Sequence, residues 1–215
     1  MGAWALYFAS SNLGKLREFR QAATPRGILV ETLPRFEELT VCIEDGATFQ
    51  ENACKKAVHY SRNFEGLVFA DDSGLSVDAL GGAPGVHSAR YAGPDARDEQ
   101  NNELLLEELH RVEAERRAQA VTAARPRALF NRVAHYDCAI ALAQLGQVLT
   151  VAEGRAEGVI IDEPRGVGGF GYDPYFFYPP LGKTFAAISP EEKFAVSHRG
   201  AAFRKLLDYL CRGGQ

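Results

Sequence analysis

Cysteine is scarce: four thiols in 215 residues, Cys42, Cys54, Cys138 and Cys211, with no CxxC pair. That excludes a disulfide framework and leaves reduced, mostly buried thiols of a cytoplasmic protein as the expectation. Long apolar runs are absent too. The stretch 1–8 has no basic region before it and is followed by Asn12 and Lys15, so neither a signal peptide nor a membrane span is expected. Positive charge is not in excess, because 24 Lys+Arg stand against 28 Asp+Glu for a net −4. A general nucleic-acid binder draws its affinity from such an excess and is therefore not expected. A polyanionic small molecule fits only if a divalent cation supplies the missing positive charge. HExxH, zinc-type Cys/His spacing, GxSxG and EF-hand loops are all missing, as are internal repeats and Ser/Gly/Pro linkers.

What is present is ordinary globular material, 46% apolar and 24% charged. A chain of this length buries roughly 70% of its unfolded surface, which suits one domain over 1–215, built as two lobes around a substrate cleft. The apolar patterning predicts a strand over 4–9, a helix over 15–22 and a strand over 28–32. Thr48-Phe49-Gln50-Glu51 is a capping box for a helix to about Asn63, and 67–70 reads as a short buried strand stopped by Asp71-Asp72-Ser73-Gly74. A helix is predicted over 98–119, with Leu105, Leu109 and Val112 on its apolar face. Strands follow over 136–145, 147–153 and 156–161, with turns at Gly146 and Gly154-Arg155. Ser189-Pro190-Glu191-Glu192 caps another helix, and 201–211 is the last. The fold class is α/β, a long central mixed sheet flanked by helices.

Three stretches are polar, acidic or glycine-rich where a core does not require it. Ser10-Ser11-Asn12-Leu13-Gly14-Lys15 joins a strand to a helix N-terminus, where free N–H groups favour a phosphate. It is not a Walker A loop, since Ala9 and Leu16 stand where Gly and Ser/Thr are needed. A plain N-capped helix with a solvated lysine explains the segment equally well. Asp71 and Asp72 are adjacent at a strand end, where successive side chains point to opposite faces, so only one of them faces a given site. With Glu44 they suit Mg²⁺, a hard cation preferring oxygen, while Asp-Ser-Gly also suits a plain turn. Asp45, Asp78 and Glu51 are weaker candidates. Gly166-Val167-Gly168-Gly169-Phe170-Gly171 matches GxGxxG, yet Pro174 prevents the helix that a Rossmann fingerprint needs. It reads either as a loop presenting Phe170, Tyr172 and Asp173 to a base or as an ordinary glycine-rich connection with core aromatics. Lys193, Ser197, His198 and Arg199 are surface residues singly and a polyanion or purine site as a group. The basic residues Arg116, Arg117, Arg125, Arg127 and Arg132 could touch RNA, but without interleaved aromatics and with Pro126 they read as a solvated loop.

Ser11-Asn12-Leu13-Gly14-Lys15, Ala70-Asp71-Asp72-Ser73-Gly74-Leu75, the stretch 80–91, Gly169-Phe170-Gly171-Tyr172-Asp173-Pro174 and Glu192-Lys193 with Ser197-His198-Arg199-Gly200 occur in one order. In this the chain resembles the dITP/XTP pyrophosphatase family, the Ham1-like inosine triphosphate pyrophosphatases, from about Phe8 to Leu210. The resemblance implies a cytoplasmic, Mg²⁺-dependent homodimer that splits non-standard purine triphosphates (dITP, ITP, XTP) into monophosphate and pyrophosphate, with no nucleic-acid or membrane partner. It further implies that Ser10, Ser11, Asn12, Leu13, Gly14 and Lys15 hold the triphosphate and that Ser73 contacts substrate. Glu44 and Asp72 match the metal carboxylates, Asp72 also the proton acceptor, and Lys56 a lysine near the phosphates. Phe170, Gly171, Tyr172, Asp173, Lys193, His198 and Arg199 match the nucleoside pocket. Ser10 stands where Thr is usual, and the segment 115–134 is longer than the family norm.

Overall fold

The computed structural model describes residues 4–122 and 132–213. Arg125, Pro126 and Arg127 of the basic stretch lie outside the described residues. Strands β1 (Trp4–Phe8), β2 (Ile28–Thr32), β3 (Leu67–Val77), β4 (Val133–Gln144), β5 (Gln147–Ile160), β6 (Phe176–Tyr178) and β7 (Lys183–Thr184) are interspersed with helices α1 (Leu13–Ala23), α2 (Phe49–Ser61), α3 (Asp98–Thr122), α4 (Pro190–Val196) and α5 (His198–Gly213). The strands form one sheet in the order β2-β1-β3-β4-β5-β6-β7. Pairing is parallel where β1 meets β2 and β3, and antiparallel where β6 meets β5 and β7. The expected α/β mixed sheet is therefore present. Among the described residues no helix is long and apolar enough to cross a membrane.

The chain divides into two compact units. The first comprises the residues through Ser73, Asp137–Arg155 and those from Phe194 on. Its register sets Leu6 beside Leu67 and Phe8 beside Phe69, and the two-residue period of a strand sorts the side chains into two cores. Leu6, Phe8, Phe69, Ile140 and Leu142 pack with α1 and α5 through Leu16, Phe19, Phe203 and Leu206. The Phe19 ring lies 5.0 Å from Phe8 and 4.6 Å from Phe203. The intervening residues Val68, Ala70, Ala139, Ala141 and Ala143 pack with Ala53 and Ala57 of α2. Small side chains on both partners let that helix come close to the sheet.

The second unit comprises Gly74–Tyr136 and Ala156–Lys193. It buries Leu75, Val77, Leu105 and Leu109, the last two on the predicted face of α3, together with an aromatic group. Phe176 lies 4.7 Å from Tyr136 and 4.8 Å from Phe185, ring centre to ring centre.

Three local expectations are corrected. First, β3 does not stop at Ala70. It runs through Asp71-Asp72-Ser73-Gly74 to Val77, because cations contributed by distant segments neutralise the acids and leave no reason to break the ladder. Second, Gly154-Arg155 is no turn, and β5 passes straight through it. A Cβ on Gly154 would stand 2.1 Å from the His198 carbonyl oxygen and 2.5 Å from the Ala202 nitrogen, so glycine is there to let α5 lie on the strand. Gly154→Ala is expected to cost about 3 kcal/mol through overpacking against backbone, read as a lower urea midpoint at unchanged m value; coincident midpoints would remove this explanation. The turn at Gly146 is real, with φ of 49° at Leu145 and 77° at Gly146 joining β4 to β5, as a two-residue hairpin requires. Third, the Thr48 capping box is one-sided. Thr48 Oγ1 accepts from the Glu51 N–H at 3.1 Å, but the Glu51 carboxylate accepts from Ala47 rather than from Thr48. The Ser189/Glu192 box is reciprocal, at 3.0 and 3.1 Å.

Candidate active site

The strand-to-helix loop in the first unit is built around Asn12. Its Oδ1 caps α1 by accepting from the Lys15 N–H at 3.0 Å, and Ser10 Oγ accepts from the Asn12 N–H at 3.2 Å. Ser11, Asn12 and Leu13 are exposed, so the loop and its helix terminus face solvent. Both readings of the segment hold in part: the cap exists, but Lys15 is not merely solvated. Its Nζ donates to Asp71 Oδ2 at 2.8 Å.

Asp71 and Asp72 point into different surroundings, as alternation along a strand dictates. Asp71 is buried and faces Lys15 and Arg199. The Arg199 guanidinium, itself 2% exposed, donates from Nη1 to Glu18 at 2.9 Å and from Nη2 to Ser73 Oγ at 3.5 Å, with Nε 3.5 Å from Asp71 Oδ2. Burial would raise the Asp71 carboxyl, but Lys15, Arg199 and Lys56 outweigh it and hold the group at about 2. Burial works against the Arg199 charge, yet Asp71 and Glu18 raise it above its ordinary value. Cys138, buried beside them, is pushed up by desolvation and stays a thiol.

Asp72 faces α2. Its Oδ2 accepts from Asn52 Nδ2 at 3.1 Å, and its Oδ1 is 3.5 Å from Lys56 Nζ, which also donates to Glu44 Oε2 at 2.7 Å. Asn52 Oδ1 in turn accepts from the Gly46 N–H at 2.7 Å, tying the Glu44 loop to the helix. Burial raises the Asp72 carboxyl above its ordinary value, opposed by Lys56 and Asn52 and reinforced by Glu44 and Asp71. Lys56 is raised as well: burial lowers it, but three carboxylates prevail. Asn52 and Glu18 escaped the sequence reading, although each stands at helical spacing from a residue that did not, four before Lys56 and three after Lys15. The weaker candidates take other roles. Asp45 pairs with Lys55 at 2.6 Å on the surface, Glu51 caps, and Asp78 lies 3.9 Å from His135.

Among the described residues no group of three His, Cys, Asp or Glu forms a metal cage. Two carboxylates that approach one ammonium are nonetheless the kind of donor Mg²⁺ asks of a protein, since it keeps waters and takes its remaining oxygens from phosphates. Glu44, with 36% of its side chain exposed, and Asp72 offer only oxygen, so this donor set fits the ion.

The second unit carries the glycine-rich loop. Phe170 is 43% exposed, whereas Tyr172 and Asp173 are buried. The expectation of a loop presenting all three is corrected accordingly. The Tyr172 hydroxyl donates to the Ser88 carbonyl at 2.8 Å and anchors the loop, and its burial raises its pKa. Asp173 accepts from the Phe170 N–H at 2.9 Å and pairs with Lys193 Nζ. That ammonium also stands 4.6 Å from the centre of the Phe170 ring, a cation–π distance. Gly171 is held by two residues of α3, Asp98 and Asn102, which the sequence did not mark. Lys193, Ser197, His198 and Arg199 are all buried, not surface residues: Lys193 pairs with Asp173, Ser197 Oγ accepts from the Gly200 N–H at 3.2 Å, and Arg199 meets Glu18 and Asp71. Arg132 likewise is no solvated loop residue: Nε and Nη2 meet Glu113 at 2.5 and 3.0 Å and Nη1 meets Asp162 at 2.7 Å.

A family model described as the Ham1 family matches residues 6–209. The chain belongs to the Ham1 family. Among its relatives in that family is a protein named dITP/XTP pyrophosphatase from Geobacillus kaustophilus, 46% identical over 201 residues, covering 94% of this chain and 91% of the relative. Another of that name, from Acidobacterium capsulatum, is 45% identical over 217 residues, covering 97% and 98%. A HAM1 protein structure from Coxiella burnetii superposes with a TM-score of 0.83 at 36% identity, covering 97% of this chain and 99% of that one. The four cysteines of this Ham1-family chain are free.

Proposed function

We propose that this protein is a nucleoside triphosphate pyrophosphatase that hydrolyses dITP, ITP and XTP to the monophosphate and pyrophosphate. The observation that carries the reading is the array of Asp72, Lys56, Asn52 and Glu44, a half-buried carboxylate with a raised pKa held between a lysine and an amide. A group of this kind is suited to take a proton. The names of the relatives supply the substrate class.

The α-phosphorus of a triphosphate is shielded by negative charge, so the chain must first neutralise it. Lys15 and Lys56 do so as point charges, and the Ser10 to Lys15 loop adds backbone N–H donors at a helix terminus. Mg²⁺ held by Glu44 and Asp72 would add charge neutralisation and polarise the phosphoryl oxygens. Asp72 orients the attacking water and accepts its proton as the water oxygen bonds to the α-phosphorus. The bond to the bridging oxygen breaks, and pyrophosphate leaves with the electron pair. Asn52 holds Asp72 in place. Phe170 stacks on the base, and Lys193 and His198 favour a 6-oxo purine over a 6-amino one, because a polar group left unpaired in a dry pocket rejects the wrong base by orders of magnitude; Arg199, which donates to Ser73, serves by holding that substrate contact. Ser73 contacts the substrate, Gly171 carries the stacking loop, and Tyr172 and Asp173 brace it. A cytoplasmic homodimer built as one two-lobed domain over 1–215 belongs to the same reading, as does a free nucleotide rather than a nucleic acid as partner.

The test is a pyrophosphate assay with ITP, XTP, dITP and ATP, with and without EDTA. Pyrophosphate from the first three, little from ATP and none under EDTA is expected. Silence on the first three overturns the substrate class, and orthophosphate alone overturns the bond cleaved.

A further inference from the structure

We infer that Asp98 and Asn102 on α3 are positioning residues that set the affinity for the nucleobase by fixing the backbone under Phe170. This rests on the proposed stacking role of Phe170. The two residues are four apart and so lie on one helix face. There they offer an acceptor and a donor that match the two polar groups of a single residue. Gly171 N–H donates to Asp98 Oδ2 at 2.6 Å, and Asn102 Nδ2 donates to the Gly171 carbonyl at 3.0 Å.

The Gly171 N–H belongs to the peptide unit that follows Phe170, and the Phe170 N–H, bonded to Asp173 at 2.9 Å, belongs to the one that precedes it. Phe170 is thus held at both of its peptide groups while its ring stays partly exposed. Four glycines between 166 and 171 give this loop many alternative backbone states, and Gly171 sits at φ +62°, only one of the conformations open to a glycine. Asn102 is 6% exposed, and its Oδ1 has no hydrogen-bond partner among the described residues. A buried amide with one end unspent is costly, and packing alone would be served better by an apolar side chain. The cost is explained if the Nδ2 contact is what matters. A ring ordered before the base arrives loses less freedom on binding.

The experiment compares ITP with inorganic tripolyphosphate, which has the phosphates and no base. Asp98→Ala and Asn102→Ala are each expected to raise KM for ITP roughly three- to tenfold with kcat near that of the wild type, and to leave inhibition by tripolyphosphate unchanged. Asp98→Asn keeps an acceptor and should restore KM. Asn102→Asp sets a carboxylate against the Gly171 carbonyl and should exceed Asn102→Ala. If the alanine variants do not fold, these two near-isosteric variants carry the same comparison. Unchanged KM, or equal weakening of ITP and tripolyphosphate, overturns the positioning role while leaving the activity intact. A wild-type protein inert on ITP overturns the proposed function itself.

Discussion

Asp72→Asn is expected to lower pyrophosphate release by about 10²–10⁴-fold, the usual worth of a positioned proton acceptor, without loss of fold. Asparagine has the same outline, and its Oδ1 can still accept from Asn52. What disappears is the negative charge. Burial raises the Asp72 carboxyl in the folded chain, and the sign of the linkage follows. A carboxyl whose pKa is raised on folding favours the native state while protonated, and that favour is lost as pH rises through the folded pKa. At neutral pH the Asp72 charge is therefore a cost to stability, so the variant should melt at the same temperature as the wild type or above it. Lost turnover with equal or greater stability is the pattern of a group kept for chemistry. Turnover within tenfold of the wild type would remove Asp72 from its proposed role.

The fold was legible where its signals are local. Asn12, Thr48 and Ser189 mark helix starts by hydrogen bonds to residues three positions on, and the start and end of β2 match the apolar run. It was not legible where a residue answers to a distant one. Asp71-Asp72-Ser73-Gly74 has the composition of a turn, and only Lys15, Lys56 and Arg199, far away in sequence, make it a strand. Gly154 looks like punctuation because the helix that lies on it begins 44 residues later, from 154 to 198. The site shows the same division. The order of motifs picks out Lys15, Asp72 and Arg199, and the resemblance adds Lys56, but neither tells which cation faces which acid. Nor could either find Asp98 and Asn102, some 70 residues from the loop they hold. The resemblance matches Arg199 to the nucleoside pocket, whereas in the structure its donors meet Glu18, Ser73 and Asp71.

Asp71→Asn is expected to behave oppositely to its neighbour, destabilising the protein by about 3–5 kcal/mol at pH 7. Removing one partner of a buried ion pair leaves the other charges uncompensated, and here Lys15 and the buried Arg199 would be left close to each other. The wild-type carboxyl sits at about 2 against an ordinary 3.8, and the lowered value makes the ionised form the stabilising one. That difference corresponds to roughly 2 kcal/mol at 1.36 kcal/mol per unit. It is fully present above pH 4 and lost as pH falls through the folded value. Urea midpoints at pH 7, 5, 3 and 2.5 should show the gap between wild type and variant holding down to about pH 4 and narrowing below it. Lys15, left without its partner, would also leave the Ser10 to Lys15 loop without its anchor, so turnover should fall with stability, unlike at Asp72. Under the proposed function two adjacent carboxylates on one strand thus divide their work by the face each occupies, one bound to cations that hold the core together and the other kept costly for catalysis. If Asp71→Asn and Asp72→Asn moved stability in the same direction at pH 7, that division would be wrong.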